Sequence, residues 1–201
     1  MKNMRLTVCI GIMCGWLAAG MLHAGTRPDH VRPVEEDGSR LWLPVIRPVE
    51  GAEVEITYKG KVSPTIAIAI AELKNAWKGD PVLLEKKKTE RGDGFAITSS
   101  EHQVRILSST ETGLLYGAYS LLRMQAAGQF TVPLSVTEQP AYDLRILNHW
   151  DNPDGTVERG YAGRSLWNWE ELPGTLSPRY EAYARANASV GINGTVLNNV
   201  N

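Results

Sequence analysis

Between residues 53 and 126 the spacing of apolar positions switches between two, the repeat of a strand, and about 3.6, the repeat of a helix. Residues 53–58, Glu-Val-Glu-Ile-Thr-Tyr, alternate polar and apolar and predict a half-buried strand that ends at the turn Lys59-Gly60. Ser63 as N-cap and Pro64 at the first helical position open a helix reaching Trp77, although Ile66, Ile68 and Ile70 also alternate as a strand would. Short strands follow at 82–84, 95–98 and 103–107, the last two joined by Ser99-Ser100-Glu101-His102. Thr110 to Gly113 then opens a helix to Gln125 with Leu114, Leu115, Ala118, Leu121 and Leu122 on one face, and Gly128 ends it. A further short strand is expected at Leu41-Trp42-Leu43, before Pro44, and residues 133–140 read as the exit from this domain. The result is a small sheet with helices covering at least one face.

Residues 143–152 predict a strand ending in a burst of polar and aromatic side chains, Asn148-His149-Trp150-Asp151-Asn152. A turn at Asn152-Pro153-Asp154-Gly155 and a long loop follow, then a helix at 178–189 with Tyr180, Tyr183, Ala184 and Ala188 on one side, then a strand from Gly191 to Leu197. Strand, loop, helix and strand form one βαβ unit, and its parallel pairing calls for further strands. The predicted class is α/β: an N-terminal small sheet with covering helices, followed by the first βαβ unit of a truncated (β/α)8 barrel.

Lys2 and Arg5, an uncharged apolar stretch from Leu6 to Leu22 and the small-residue exit at Ala24-Gly25 have the order of a secretory signal cleaved after Ala24. An uncleaved anchor is the alternative for a stretch of this length, but its glycines and exit favour removal. The expected organisation is a signal at 1–24, an α/β domain at 25–139 and the start of a barrel at 140–201, in a secreted or periplasmic protein. Both cysteines, Cys9 and Cys14, fall in the signal, so the processed chain has no disulfide, Cys ligand or Cys nucleophile. Removing Lys2 and Arg5 leaves 19 basic residues against 22 acidic ones, a formal charge of −3. Nucleic acid is therefore not an expected partner, nor is a membrane once the signal is cleaved. The four histidines, at 23, 30, 102 and 149, show no metal spacing, and no metal or cofactor is expected. The run at Lys86-Lys87-Lys88 reads as exposed, Arg91-Gly92-Asp93 as a turn, and the sequons at Asn187 and Asn193 as coincidental.

Six Trp and seven Tyr against two Phe suit ligands with both apolar faces and hydroxyls, sugars among them, though cores also use these residues. In the loop Glu158-Arg159-Gly160-Tyr161-Ala162-Gly163-Arg164-Ser165 the glycines permit close backbone approach and the arginines can fork onto a carboxylate. Composition leaves two readings open. The loop binds a carbohydrate carrying an acid group, or it is structural and its arginines pair with Asp151, Asp154 and Glu158; composition alone favours the second.

Three strings carry a family resemblance: residues 145–152, Arg-Ile-Leu-Asn-His-Trp-Asp-Asn; residues 158–165; and residues 191–201, Gly-Ile-Asn-Gly-Thr-Val-Leu-Asn-Asn-Val-Asn. They resemble the start of the catalytic domain in the α-glucuronidases of glycoside hydrolase family 67. Residues 113–123 resemble the second helix of that family's N-terminal α/β domain, while residues 82–94 depart from its pattern. The resemblance implies an N-terminal α/β domain, a central (β/α)8 barrel and a helical C-terminal region. It also implies an enzyme that removes glucuronic acid or its 4-O-methyl ether from the α-1,2 linkage on xylose in xylan fragments, with inversion. Such chemistry needs a carboxylic acid and a carboxylate base. In the family these come from later barrel strands, so no catalytic residue is assigned, Asp151 and Glu158 included, and the 201-residue chain is expected to be inactive.

What the resemblance implies for this chain is a substrate-binding loop. Trp150 matches the position of a tryptophan that walls the uronic acid pocket. Asn148, His149, Glu158, Arg159 and Arg164 lie in the matching strings, and Asn198 and Asn199 end the second strand at the same face. The expected partners are glucuronoxylan-derived oligosaccharides, with a homodimer of the full-length enzyme left open. The alternative is a non-catalytic secreted carbohydrate-binding or assembly module.

Overall fold

A computed structural model describes residue 43, residues 54–88 and residues 92–198. The expected signal, the lead-in at 25–40, Leu41, Trp42 and Asn199 lie outside the described residues. Ten elements follow in order: β1 (Ile56–Lys59), α1 (Pro64–Ala76), β2 (Val82–Lys86), β3 (Phe95–Ser100), β4 (Gln103–Ser108), α2 (Glu111–Ala126), β5 (Leu134–Glu138), β6 (Ile146–Trp150), α3 (Pro178–Ser189) and β7 (Gly194–Asn198). The chain is mixed α/β, as expected. No helix among the described residues is long and apolar enough to cross a membrane.

The two expected caps set the helix starts. Ser63 Oγ accepts from the Ile66 N–H at 3.3 Å, and Thr110 Oγ1 accepts from the Gly113 N–H at 2.9 Å, each satisfying a donor with no partner inside its helix. Ser63 Oγ also donates to Glu111 Oε2 at 2.6 Å, joining the two helix starts.

Strands β1 to β5 form one sheet in the order β1-β2-β4-β3-β5, with β3 antiparallel to its neighbours β4 and β5. Period two sends Val82, Leu84, Phe95, Ile97, Val104 and Ile106 to one buried face, where Ile66, Leu73, Leu114, Leu121 and Leu122 of α1 and α2 cover them. The other face carries polar residues such as Arg105 and Glu85, 3.0 Å apart and partly exposed, a pair that contributes little. Lys86, Lys87 and Lys88 are exposed, as their run predicted.

One expectation needs correction. Residues 133–140 are more than an exit, because Leu134 to Glu138 form the edge strand β5 along β3. Their alternation is short and flanked by Pro133 and Pro140, and proline beside a short run is also the signature of a strand at a sheet edge. Of the strand expected at 41–43 only Leu43 is described. It is buried outside any strand, its N–H donating to Ser189 Oγ at 3.4 Å.

Close approach of α2 to the sheet needs Gly113 and Gly117, one helical turn apart. A Cβ on Gly117 would stand 2.4 Å from Ile106 Cγ2, and one on Gly113 would stand 2.1 Å from Ser108 Oγ. Strands β6 and β7 form a separate two-stranded parallel sheet, joined through a long loop and α3.

Two arginines connect this unit to the five-stranded sheet and its helices. Arg185 of α3 forks onto Glu72 of α1 at 2.6 and 2.8 Å and donates to the Leu43 carbonyl at 2.7 Å. Arg145, just before β6, reaches Asp93 at 3.1 Å, donates to the carbonyls of Tyr142 and Gly191, and lies over the Tyr116 ring. Its backbone N–H and C=O both pair with Asn193, each at 2.9 Å, which aligns the starts of β6 and β7.

Two stability outcomes follow. Gly117→Ala gains about 1 kcal/mol of helix propensity but overpacks against Ile106 by about 1–3 kcal/mol, so a net loss is expected in urea unfolding, and an unchanged midpoint would mean α2 can lift freely. Arg145→Met strands Asp93 and the carbonyls of Tyr142 and Gly191, and a loss of about 3 kcal/mol is expected in the same assay.

Candidate functional site

The strand period divides the polar burst of β6 between two faces. Ile146, Asn148 and Trp150 are exposed on one side, and Trp150 is 47% exposed at the strand's C-terminal end. In register, Val196 stands beside Asn148 and Asn198 beside Trp150, so these four positions share a face. Gly194, beside Ile146, has no room for a side chain, since a Cβ there would meet Ile146 Cγ2 at 2.6 Å.

His149 points the other way, toward α3. Its Nε2 hydrogen-bonds Tyr183 Oη, which in turn lies 3.2 Å from Thr195 Oγ1, and its Nδ1 lies 3.5 Å from Asp151 Oδ1. Asp151 is 2% exposed and accepts from Ser165 Oγ. Ser165 Oγ accepts in turn from the Trp167 N–H at 2.9 Å. Trp167 stacks on Tyr180 at 4.9 Å and meets His149 and Tyr183 edge-on. A chain of polar and aromatic contacts thus runs from β6 through the loop to α3. A cavity of about 600 Å³ opens on this helix side, lined by Tyr116, Trp167, Tyr180, Tyr183, Asn187 and Thr195 among others. Neither Trp150 nor Asn148 lines it.

The loop after β6 folds back on the strand end. Asp151 bridges to Val157 and Thr156 to Arg164, both antiparallel. Asn152, 3% exposed, donates its side-chain amide to Thr156 Oγ1 at 2.9 Å and to the Glu158 carbonyl. The Glu158 N–H donates to the Trp150 carbonyl at 2.7 Å. Glu158 itself has a left-handed backbone, φ 55°, at a cost of about 1–2 kcal/mol for a residue with a Cβ.

The expected site residues therefore separate. Trp150, Asn148 and the backbone of Asn198 share the open face, with Glu158 hydrogen-bonded to the Trp150 backbone. His149 lies on the helix side. Arg159 and Arg164 are exposed on the loop. Asp151 is held by Ser165 and His149 rather than by an arginine. The electrostatic part of the structural reading is present at Asp154: hydrogen bonds from Thr156, and then the charge of Arg164, hold its carboxyl below the ordinary range. The Tyr161 phenol is raised above its usual value by its hydrogen bond to Glu158 and by that residue's charge.

Asn152, Ser165 and Tyr183 escaped the sequence reading as site-building residues. The signal available for Asn152 was its place directly after β6, opening an Asn-Pro-Asp-Gly turn. Nothing in local spacing marks the other two. Among the described residues no three His, Cys, Asp or Glu side chains are grouped to hold a metal ion.

Residues 124–201 match the family model described as the glycosyl hydrolase family 67 middle domain. The chain is 44% identical over 110 residues to a protein named probable alpha-glucuronidase A from Aspergillus clavatus and 46% identical over 110 residues to one of the same name from Neosartorya fischeri. It is 42% identical over 109 residues to the alpha-glucuronidase A of Aspergillus tubingensis. In each case the match covers 54% of this chain and 13% of the relative, so the chain spans a small part of those proteins. A solved structure described as a GH138 enzyme targeting pectin rhamnogalacturonan II aligns with a TM-score of 0.54 at 15% identity, covering 73% of this chain and 19% of that one, a likeness of fold alone. The family model that residues 124–201 match, together with these relatives, bears out the resemblance carried by the strings of β6, its loop and β7.

Proposed function

We propose that this chain is the N-terminal portion of an inverting α-glucuronidase that hydrolyses α-1,2-linked glucuronic acid, or its 4-O-methyl ether, from xylo-oligosaccharides. The observation that carries this reading is the open face of β6 and β7 in the family-matched region: a half-exposed Trp150 ends the strand, and Asn148 and Val196 stand on the same side. In this reading the parallel pair begins a (β/α)8 barrel, residues 25–139 form the preceding α/β domain, and further strands pack on the open face. An indole at a strand's C-terminal end is where such a barrel meets its substrate, and its flat face suits the apolar side of a sugar ring.

The acid and the base are assigned to residues outside this chain. Asp151 is buried and held by Ser165 and His149, and the Glu158 carboxylate hydrogen-bonds Tyr161, so each already has a structural partner. The arginines at 159 and 164, exposed on the adjoining loop, are the residues of this chain suited to an acid group. Residues 1–24 are read as a cleaved signal and the protein as secreted or periplasmic.

Three measurements test this. The 201-residue chain is expected to release no glucuronic acid from aldouronic oligosaccharides, whereas a chain continued through the remaining family sequence releases it; release by the short chain would overturn the assignment of acid and base. In the continued enzyme Trp150→Ala is expected to lower kcat/KM about tenfold, the equivalent of one lost aromatic contact, and full activity would remove Trp150 from the pocket. N-terminal sequencing of the exported protein is expected to begin at Gly25.

A further inference from the structure

Glu158 is the one non-glycine residue with a left-handed backbone among the described residues. Asparagine, aspartate and glycine take that conformation most readily, and a glutamate has no conformational reason to be there. Its peptide groups are pinned on both sides. The N–H goes to the Trp150 carbonyl at 2.7 Å, and the carbonyl receives the side-chain amide of Asn152.

The Asn152 side chain can face only one way. A carbonyl oxygen only accepts, so the NH2 group must face Glu158, and flipping the amide would set two acceptors against each other. In that orientation Asn152 Oδ1 is buried without a hydrogen-bond partner. The fold thus tolerates an unpartnered acceptor in order to keep a donor on Glu158, which is the kind of exception that needs a reason. The same NH2 group also donates to Thr156 Oγ1 across the tight turn at 2.9 Å, but the turn does not depend on that bond. It is already closed by the Gly155 N–H to the Asn152 carbonyl at 3.0 Å and by the Asn152 N–H to the Thr156 carbonyl at 2.8 Å.

We propose that Asn152 is a positioning residue: its buried amide clamps Glu158 in the left-handed turn and so holds the Glu158 carboxylate on the loop beside Trp150, where it accepts hydrogen bonds from the hydroxyls of a sugar ring. The ligand half of this inference rests on the substrate reading above; the clamp does not. The carboxylate faces the hydroxyl edge of the sugar and not its acid group, because two anions would repel. At rest the Tyr161 hydroxyl occupies the carboxylate, and its raised phenol reports where the carboxylate stands.

The clamp is tested in the 201-residue chain by titrating Tyr161 in NMR spectra, with Tyr161→Phe to assign the signal. Asn152→Ala is expected to bring the phenol down toward its ordinary value, as Glu158→Gln does. Asn152→Asp, nearly the same shape but with no donor for the carbonyl, is expected to behave like the alanine variant. Both are expected to unfold at lower urea, and adding Glu158→Gly restores most of the loss because glycine takes the conformation without help. An unchanged Tyr161 titration in Asn152→Ala, or no rescue by Glu158→Gly, overturns the clamp. In the continued enzyme, Asn152→Ala and Glu158→Gln are expected to raise KM by a similar factor, about tenfold, with little change in kcat. If neither changes KM while Trp150→Ala does, the carboxylate is not the sugar's acceptor and the inference fails although the substrate reading survives. If Trp150→Ala also has no effect, the substrate reading fails with it.

Discussion

Arg145 is the joint on which the geometry of the open face depends. Its guanidinium meets Asp93, whose Oδ1 also pairs with Thr110 Oγ1, the N-cap of α2. The same side chain holds the Gly191 carbonyl, and its backbone pairs with Asn193 at both N–H and C=O. One residue therefore ties the end of the α/β sheet, the start of β6 and the start of β7. The register of β6 against β7 is set there, and register decides which side chains share a face. A one-residue slip would send Trp150 and Asn148 to the helix side and bring His149 out. Arginine suits this place better than lysine, because a planar fork can serve a carboxylate and several carbonyls at once.

With the register fixed, the burst Asn148-His149-Trp150-Asp151-Asn152 performs two tasks. Asn148 and Trp150 remain available on the open face. His149, Asp151 and Asn152 turn inward and build the support for the loop: His149 toward Tyr183, Asp151 toward Ser165, Asn152 toward Glu158. Aromatic contacts of Trp167 with Tyr180, Tyr183 and His149 extend that support to α3, and Arg185 fastens α3 to Glu72. The half-exposed indole is thus carried by a strand end braced from the opposite face, an arrangement that preorganises a contact surface.

Most of the fold was legible because its signals are local. Ser63-Pro64 and Thr110 named both helix starts through caps formed within three residues, and Leu114 to Leu122 showed the buried face of α2. β5 was missed where proline at both ends masked a five-residue alternation. In the site, the split between His149 and its neighbours was available in principle, since period two alone separates residue 149 from 148 and 150, but polar residues crowded at a strand end read as one group. The roles of Arg145, Ser165 and Tyr183 were not legible. Their partners lie 52, 14 and 34 residues away, and no spacing rule reports a contact that only the tertiary fold creates.

The loop also shows how strain and support balance. A left-handed Glu158 costs about 1–2 kcal/mol, comparable to what one or two net hydrogen bonds contribute. The bonds from Asn152 and to Trp150 are of that size together, so the conformation is held only while both remain. Because one of the two is the carbonyl of Trp150 itself, the backbone that carries the indole and the backbone that carries the carboxylate move as one piece. Their separation is fixed by a direct hydrogen bond and not by the length of the intervening loop. That is why the exposed glycines at 160 and 163 can remain in the loop without loosening the relation between Glu158 and Trp150.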